Sequence, residues 1–444
     1  MNLLITNGRV LSDKIIVNGA IAIENNKIID IGESATLKKK YRRYEKIDAT
    51  DHFVLPGLIN THTHAAMTLL RGYADDLNLN HFLEKVWTIE KYMTGQDIEV
   101  GAELAAIESI MSGVTTLNSM YFYHEDKNEA TAFKKINIRG IIGIAFFTHT
   151  QSESKKKFLH AVNKWHGANN DTIRIAMCPH APYTVDPNLL KEIEFLRIKE
   201  EKRVNGPPII VSSHIAELKD EANQINQKFQ TKVKKNSIIK YLDSLNILSN
   251  RFLAAHMVNL NTQDIDIASK RKIHVSHNPI SNFKLNNGLS PVSKMLSKGI
   301  PVSLGTDGPA SNNSLDMIET MKFTALIHKY DTSDPTQLSA KQVFDMATKN
   351  GATSLNWHNL GQLKKDHIAD IVLLNYKKPH LSPLSDEYSH LVYAAKSSDI
   401  STVIIDGKIV LEDRLPPKIN LDKIIEKAIK TKDKLLSKIE NNDK

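Results

Sequence analysis

A chain of 444 residues with 41% hydrophobic content is long and apolar enough to bury one large core plus a smaller satellite, which sets intrinsic disorder aside. Its net charge of +8 comes from scattered basic runs (Lys38 to Arg43, Lys155 to Lys157, Lys232 to Lys235) without interleaved aromatics, a solvated lysine-rich surface and not a nucleic-acid footprint. The longest apolar run, Ile141 to Phe147, is too short to cross a bilayer and no basic-plus-apolar leader is visible, so a cytoplasmic protein with no membrane contact is expected.

In chain order, residues 1–55 carry short β-type runs: Leu3 to Thr6, Ile15 to Val17, Ala20 to Ile23 and Ile28 to Ile31. Turn signals at Asn7-Gly8, Asn18-Gly19 and Asn25-Asn26 separate them, which predicts a small antiparallel element. From 56 to 362 the grammar changes. Strand-like runs (Val54 to His64, Val114 to Asn118, Gly140 to Phe147, Ile173 to His180, Ile209 to His214, Phe252 to His256, Ile273 to His277 and Val302 to Asp307) alternate with helical patterns such as Asp97 to Ser112 and Ser314 to His328. That alternation predicts an α/β protein built on a (β/α)8 barrel. Residues 363–415 return to strands, Ala369 to Leu374 and a pair around Asp406-Gly407, which would complete a β-sandwich with the first 55 residues; residues 416–444 read as a terminal helix.

The chemistry concentrates at predicted strand ends. His62 and His64 are one residue apart on the first barrel strand, so both project the same way. His180, His214, His256 and Asp307 end the fourth, fifth, sixth and eighth strands. Barrel enzymes carry their active sites at that end, and neutral imidazole is the commonest metal ligand. A bare His-x-His also occurs in ordinary surface loops, but a set of histidines and an aspartate gathered on separate strand ends points to a metal site. The single cysteine, Cys178, rules out a thiolate cluster, and with it the nucleobase deaminases that need a Cys-x-x-Cys pair.

With these residues in view the chain resembles the amidohydrolase superfamily, and more narrowly its adenosine-type deaminases acting on methylthioadenosine, S-adenosylhomocysteine and 5'-deoxyadenosine. The motifs that carry the resemblance are Pro56 to His64, Met67 to Gly72 with Asp75-Asp76-Leu77, Pro179 to Thr184, His214 to Glu217, Ala255-His256, Val275 to Asn282, and Leu304 to Gly308 leading to Ser311-Asn312-Asn313. The resemblance implies that His62, His64, His214 and Asp307 hold one divalent metal ion per chain, zinc by preference. No lysine occurs between Ile173 and His180 to bridge a second ion. It further implies that Glu217 shuttles protons, that His256 orients the attacking water together with Asp307, and that His180 and Glu90 contact a nucleoside, Glu90 through the ribose hydroxyls. Without the resemblance Glu217 is a helix-starting acid and Glu90 a solvent-facing one.

Two departures bear on the substrate. Glu90 follows Trp87-Thr88 where relatives carry Trp-Pro, and no arginine stands between Arg139 and Arg174 to hold an amino-acid tail, leaving Lys155 to Lys157 as the available cations. A lysine gives a point charge where arginine gives a bidentate fork, so small 5'-substituents are the expected substrates. The alternatives are a guanine, cytosine or triazine aminohydrolase on the same site, and a catalytically silent scaffold acting through oligomer contacts. The expected partners are a small-molecule nucleoside and further copies of the chain in a homo-oligomer.

Overall fold

A computed structural model describes residues 2–442. Five strands open the chain: β1 (Asn2–Leu11), β2 (Ile15–Glu24), β3 (Lys27–Glu33), β4 (Glu45–Asp48) and β5 (His52–Pro56). Eight follow in the middle: β6 (Leu58–Thr63), β7 (Val114–Tyr121), β8 (Arg139–Phe146), β9 (Ile173–Pro179), β10 (Val211–Ile215), β11 (Phe252–His256), β12 (His274–His277) and β13 (Val302–Leu304). Near the end come β14 (Ile371–Asn375), β15 (Ile400–Ile405) and β16 (Lys408–Leu411).

The middle eight form one parallel sheet in sequential order, the expected barrel. Helices cover its outside, so its strands are buried on both faces and read as near-continuous apolar runs such as Ile141-Ile142 and Ile144 on β8. At the seam between β6 and β13, Thr61 Oγ1 donates to Leu304 O (2.8 Å) and Asn60 Nδ2 to Thr306 Oγ1 (2.7 Å). The Asp307 N–H donates to His62 O at 2.9 Å. Closing the barrel therefore brings the first-strand histidines against Asp307.

The two chain ends join in a second sheet, ordered β16-β15-β14-β5-β1-β2-β3 with β4 on β1. Here the sequence reading needs a correction. The run Val54 to His64 is two strands in two sheets, β5 in the chain-end sheet and β6 in the barrel, because the chain crosses over at Gly57. Any Cβ there would lie 2.1 Å from Thr115 Oγ1, so only glycine passes. Both strands are buried on both faces, which is why hydrophobicity alone does not show the break.

One charged cluster welds barrel to sheet. Arg139, fully buried on β8, donates from Nε and Nη2 to Asp370 (2.9 and 3.1 Å) and lies 3.5 Å from Asp406, while its guanidinium and that of Arg174 flank the Trp357 ring (5.0 and 3.8 Å to the centroid). The helix Leu421–Asn442 packs on the helix Gly95–Met111 and buries Leu435. From it, Lys432 and Lys438 donate to the carbonyls of Arg71 and Tyr92, at either end of the segment that carries the helix Leu79–Glu90. Among the described residues no helix is long and apolar enough to cross a membrane.

Candidate metal centre and pocket

Strand alternation and strand ends place the ligands. His62 lies within β6 with its ring toward the barrel mouth, His64 follows two residues on, His214 is the fourth residue of β10, and Asp307 follows β13. One ligand atom from each of the four falls within 4.8 Å of the others. Asp307 Oδ1 is 3.4 Å from His62 Nε2 and 3.2 Å from His64 Nε2, and the Nε2 atoms of His64 and His214 are 3.2 Å apart. The outer nitrogens of two rings are committed: His64 Nδ1 donates to Met120 O and His214 Nδ1 to His180 O, each at 2.7 Å. With the proton fixed on Nδ1, each Nε2 turns a lone pair inward.

The protonation states agree with a cation site. Burial presses His62 down to about 4 and His214 well below its ordinary value, so both are neutral imidazoles, the form that ligates. Burial would lower His64, but Asp307 outweighs it and raises that ring; burial would likewise raise Asp307, but His62 and His64 outweigh it and hold the carboxylate well below its usual range, a pairing in which a bound cation would take the place of the shared proton. Two lone pairs and an ionised carboxylate facing one point repel one another unless a cation lies between them. The residues fit one divalent ion, and the donor set of three imidazoles and one carboxylate suits zinc chemistry.

The remaining predicted residues stand around the same opening, a cleft lined by His64, His180, Glu217, His256 and Glu90 among others. Glu217 is buried and its carboxyl is pushed by that burial up to about 8. His256 is fully buried, with Nδ1 2.8 Å from Asn282 Oδ1 and Nε2 without a protein partner among the described residues. Ala216, His256 and Asp307, each at a strand end, hold positive φ (51°, 72° and 63°), conformations that non-glycine residues keep only where surrounding structure enforces them.

Glu90, on the same lining, is buried and does not face solvent. Burial lifts its carboxyl to about 7, and the Tyr121 hydroxyl donates to Oε1 at 2.5 Å. His180 stacks on Phe147 (centroids 4.9 Å apart, planes at 26°), and Phe147 in turn stacks on Phe122. Among the described residues no lysine or arginine lines the cleft. Of the lysines left open as a tail site, Lys155 pairs with Glu192 and Lys157 with Glu153 at 2.6 Å, while Lys156 is exposed.

Sequence reasoning missed the residues that hold these groups. Ser281 and Ser311 donate to Asp307 Oδ2 (2.6 and 2.9 Å), Asn287 Nδ2 donates to Glu217 Oε1 (2.9 Å), and Tyr121 holds Glu90. Ser281 and Ser311 lie within recognised motifs, whereas Asn287 and Tyr121 carry no spacing signal at all.

A parallel barrel with three histidines and an aspartate converging at the carboxyl ends of its strands defines a metal-dependent hydrolase. The chain belongs to the amidohydrolase family, whose pattern matches residues 53–410. It is 39% identical over 437 residues to a 5-methylthioadenosine/S-adenosylhomocysteine deaminase of Pelotomaculum thermopropionicum, covering 97% of this chain and 98% of that protein. With a 5'-deoxyadenosine deaminase of Methanosarcina mazei it shares 41% identity over 96% of this chain and 95% of the other. Among solved structures, a zinc-bound adenosine deaminase from Xanthomonas campestris superposes with a TM-score of 0.88 at 26% identity, over 98% of this chain and 99% of that one.

Proposed function

We infer that the protein hydrolytically deaminates the adenine ring of adenosine-type nucleosides, giving the inosine analogue and ammonia. The observation that carries this is the mononuclear ligand set His62, His64, His214 and Asp307 opening on a cleft that Glu217 and a second buried acid, Glu90, also line. The family membership and the names of the similar proteins support the same reading.

A divalent ion held by the four ligands, zinc by preference, supplies Lewis-acid activation of a water molecule at neutral pH. Glu217 stands three residues beyond His214, clear of the ligand set. One of its oxygens is held by Asn287, which leaves the other to deliver a proton to the ring nitrogen beside the attacked carbon and later to the departing amine. Its raised pKa, about 8, keeps a proton available near neutrality. His256 Nε2, with its ring proton on the Asn282 side, accepts a hydrogen bond from the attacking water. Asp307 takes one proton from the water, the hydroxyl left on the ring carbon recharges Glu217 for the departing amine as the carbonyl forms, and the proton held by Asp307 restores Glu217 as the products leave. His180 and the aromatic shelf of Phe147 and Phe122 hold the nucleoside, and Glu90 accepts from the ribose hydroxyls.

The cleft favours an uncharged 5' end. Met67, Phe82, Leu83 and Phe122 supply apolar wall, and among the described residues no lysine or arginine lines it to balance a carboxylate. 5'-Deoxyadenosine and methylthioadenosine should therefore match or exceed S-adenosylhomocysteine in kcat/KM, the quantity that reports transition-state discrimination. The test is ammonia release across a panel of 5'-deoxyadenosine, methylthioadenosine, adenosine, S-adenosylhomocysteine, guanine and cytosine. Turnover of the free bases alone would overturn the nucleoside assignment. No ammonia from any of them, with less than one metal ion per chain, would mark a silent scaffold.

A further inference from the structure

The three groups assigned to proton handling stand on three different strand ends, yet one short stretch of chain touches all of them. Ser281 Oγ donates to Asp307 Oδ2 at 2.6 Å, Asn282 Oδ1 lies 2.8 Å from His256 Nδ1, and Asn287 Nδ2 donates to Glu217 Oε1 at 2.9 Å. The stretch leaves β12, the seventh barrel strand, whose terminal His277 is paired with His328 and not with the metal site. Ser281 and Asn282 are fully buried and Asn287 is 5% exposed.

The stretch is itself immobilised. The Asn287 N–H closes back on Asn282 O at 2.8 Å, and Lys284 between them reaches Asp75 (2.5 Å) and Asn313 Oδ1 (2.6 Å) on the loops that follow the first and eighth strands.

We propose that Ser281, Asn282 and Asn287 are the positioning residues of the reaction, one segment that selects which atom of Asp307, His256 and Glu217 faces the substrate. Two donors and one acceptor do this work. The Ser281 hydroxyl, together with that of Ser311 from the loop after the eighth strand, occupies Asp307 Oδ2 and turns Oδ1 to the ligand position. The Asn282 carbonyl accepts the His256 Nδ1 proton, which makes Nε2 the acceptor. The Asn287 amide occupies Glu217 Oε1 and leaves Oε2 free. A group displaced by one ångström loses much of its effect, so fixing three of them from one segment keeps their mutual geometry constant even if the loops around them move. The assignment deepens the deamination reading and rests on it for the kinetic readout.

The experiment exploits the opposite hydrogen-bonding sense at positions 282 and 287. Asn282→Ala and Asn287→Ala should each lower kcat about 10- to 100-fold, the usual effect of losing an outer partner of a metal-site group, with KM and metal per chain unchanged. Aspartate then separates the two positions. Asn282→Asp keeps an acceptor for the ring N–H and should recover most of the lost kcat. Asn287→Asp sets a second carboxylate against Glu217 and should fall below the alanine variant. A merely structural role would rank aspartate and alanine alike at both positions, and that result would overturn the proposal. A second readout does not depend on turnover: ¹⁵N spectra of histidine-labelled protein should show His256 protonated on Nδ1 in the parent and lose that single form in Asn282→Ala. Parent spectra with the proton on Nε2 would also overturn it. A parent that releases no ammonia refutes the deamination reading instead, and the imidazole spectra still decide this one.

Discussion

Removing one hydroxyl from the substrate's ribose tests the part of the cleft that Glu90 lines. Glu90 is 7% exposed, and among the described residues its carboxylate receives one hydrogen bond, from Tyr121 onto Oε1. The rest of its acceptor capacity is left for the ligand. A 2'-deoxyribose would leave an acceptor of this buried group unmet, which costs about 1–3 kcal/mol, or about 5- to 160-fold in kcat/KM at 1.36 kcal/mol per decade. The assay is ammonia release from adenosine and 2'-deoxyadenosine at matched low concentration, with Glu90→Ala alongside the parent. The parent should prefer adenosine within that range, and the alanine variant should lose both overall kcat/KM and the preference. Equal turnover of the two nucleosides by the parent, or an undiminished preference in Glu90→Ala, would refute the ribose assignment.

Other outcomes follow from the same geometry. Replacing both His62 and His214 by alanine removes two inward lone pairs and should yield folded protein without metal; one metal ion per chain by elemental analysis would refute the ligand set. Glu217→Gln keeps an oxygen for Asn287 but cannot carry the proton, so metal should stay while turnover drops about 10²–10⁴-fold; activity within tenfold of the parent would sink the shuttle. Arg139→Met should strand Asp370 and Asp406 as buried carboxylates, a loss of about 3–5 kcal/mol in urea unfolding with kcat untouched, partly recovered by adding Asp370→Asn. A loss under 1 kcal/mol would show that Arg139 is not the weld. Burial depresses His328 to about 4, below the ordinary histidine value of about 6.5. Its neutral form therefore stabilises the fold fully above pH 6.5, and that contribution is lost as pH falls toward 4, about 2 kcal/mol by pH 5. His328→Gln should unfold less steeply with acid, and an unchanged acid profile would assign the sensitivity to other groups.

How legible this was from residues alone differs by element. Strand ends were readable because the first, fourth, fifth, sixth and eighth carry a histidine or aspartate at the close of a largely apolar run, so the barrel and its mouth could be inferred together. The crossing at Gly57 was not, since two strands buried on both faces leave no polar residue between them to mark the change of sheet. Glu90 could be named only by resemblance. In sequence it sits two residues beyond Thr88 on an amphipathic helix, and the hydroxyl that meets it, Tyr121, is distant in the chain. Asn287 was out of reach for the same reason: a single amide acting across a gap of seventy positions leaves no periodicity. The loss of Lys155 and Lys157 as candidate tail ligands likewise came from their partners, Glu192 and Glu153.

The chain-end sheet also imposes an order on biosynthesis. β5 needs β1 on one side and β14 on the other, in register Val54 with Val10 and with Leu373. β1 leaves the ribosome first, but β14 follows only after the roughly 300 residues that build the barrel have been made, about 15–60 s at 5–20 residues per second. Throughout that interval the Phe53-Val54-Leu55 edge has no partner on its β14 side, the kind of open strand that recruits neighbouring chains. Chains released before β14 would expose it permanently.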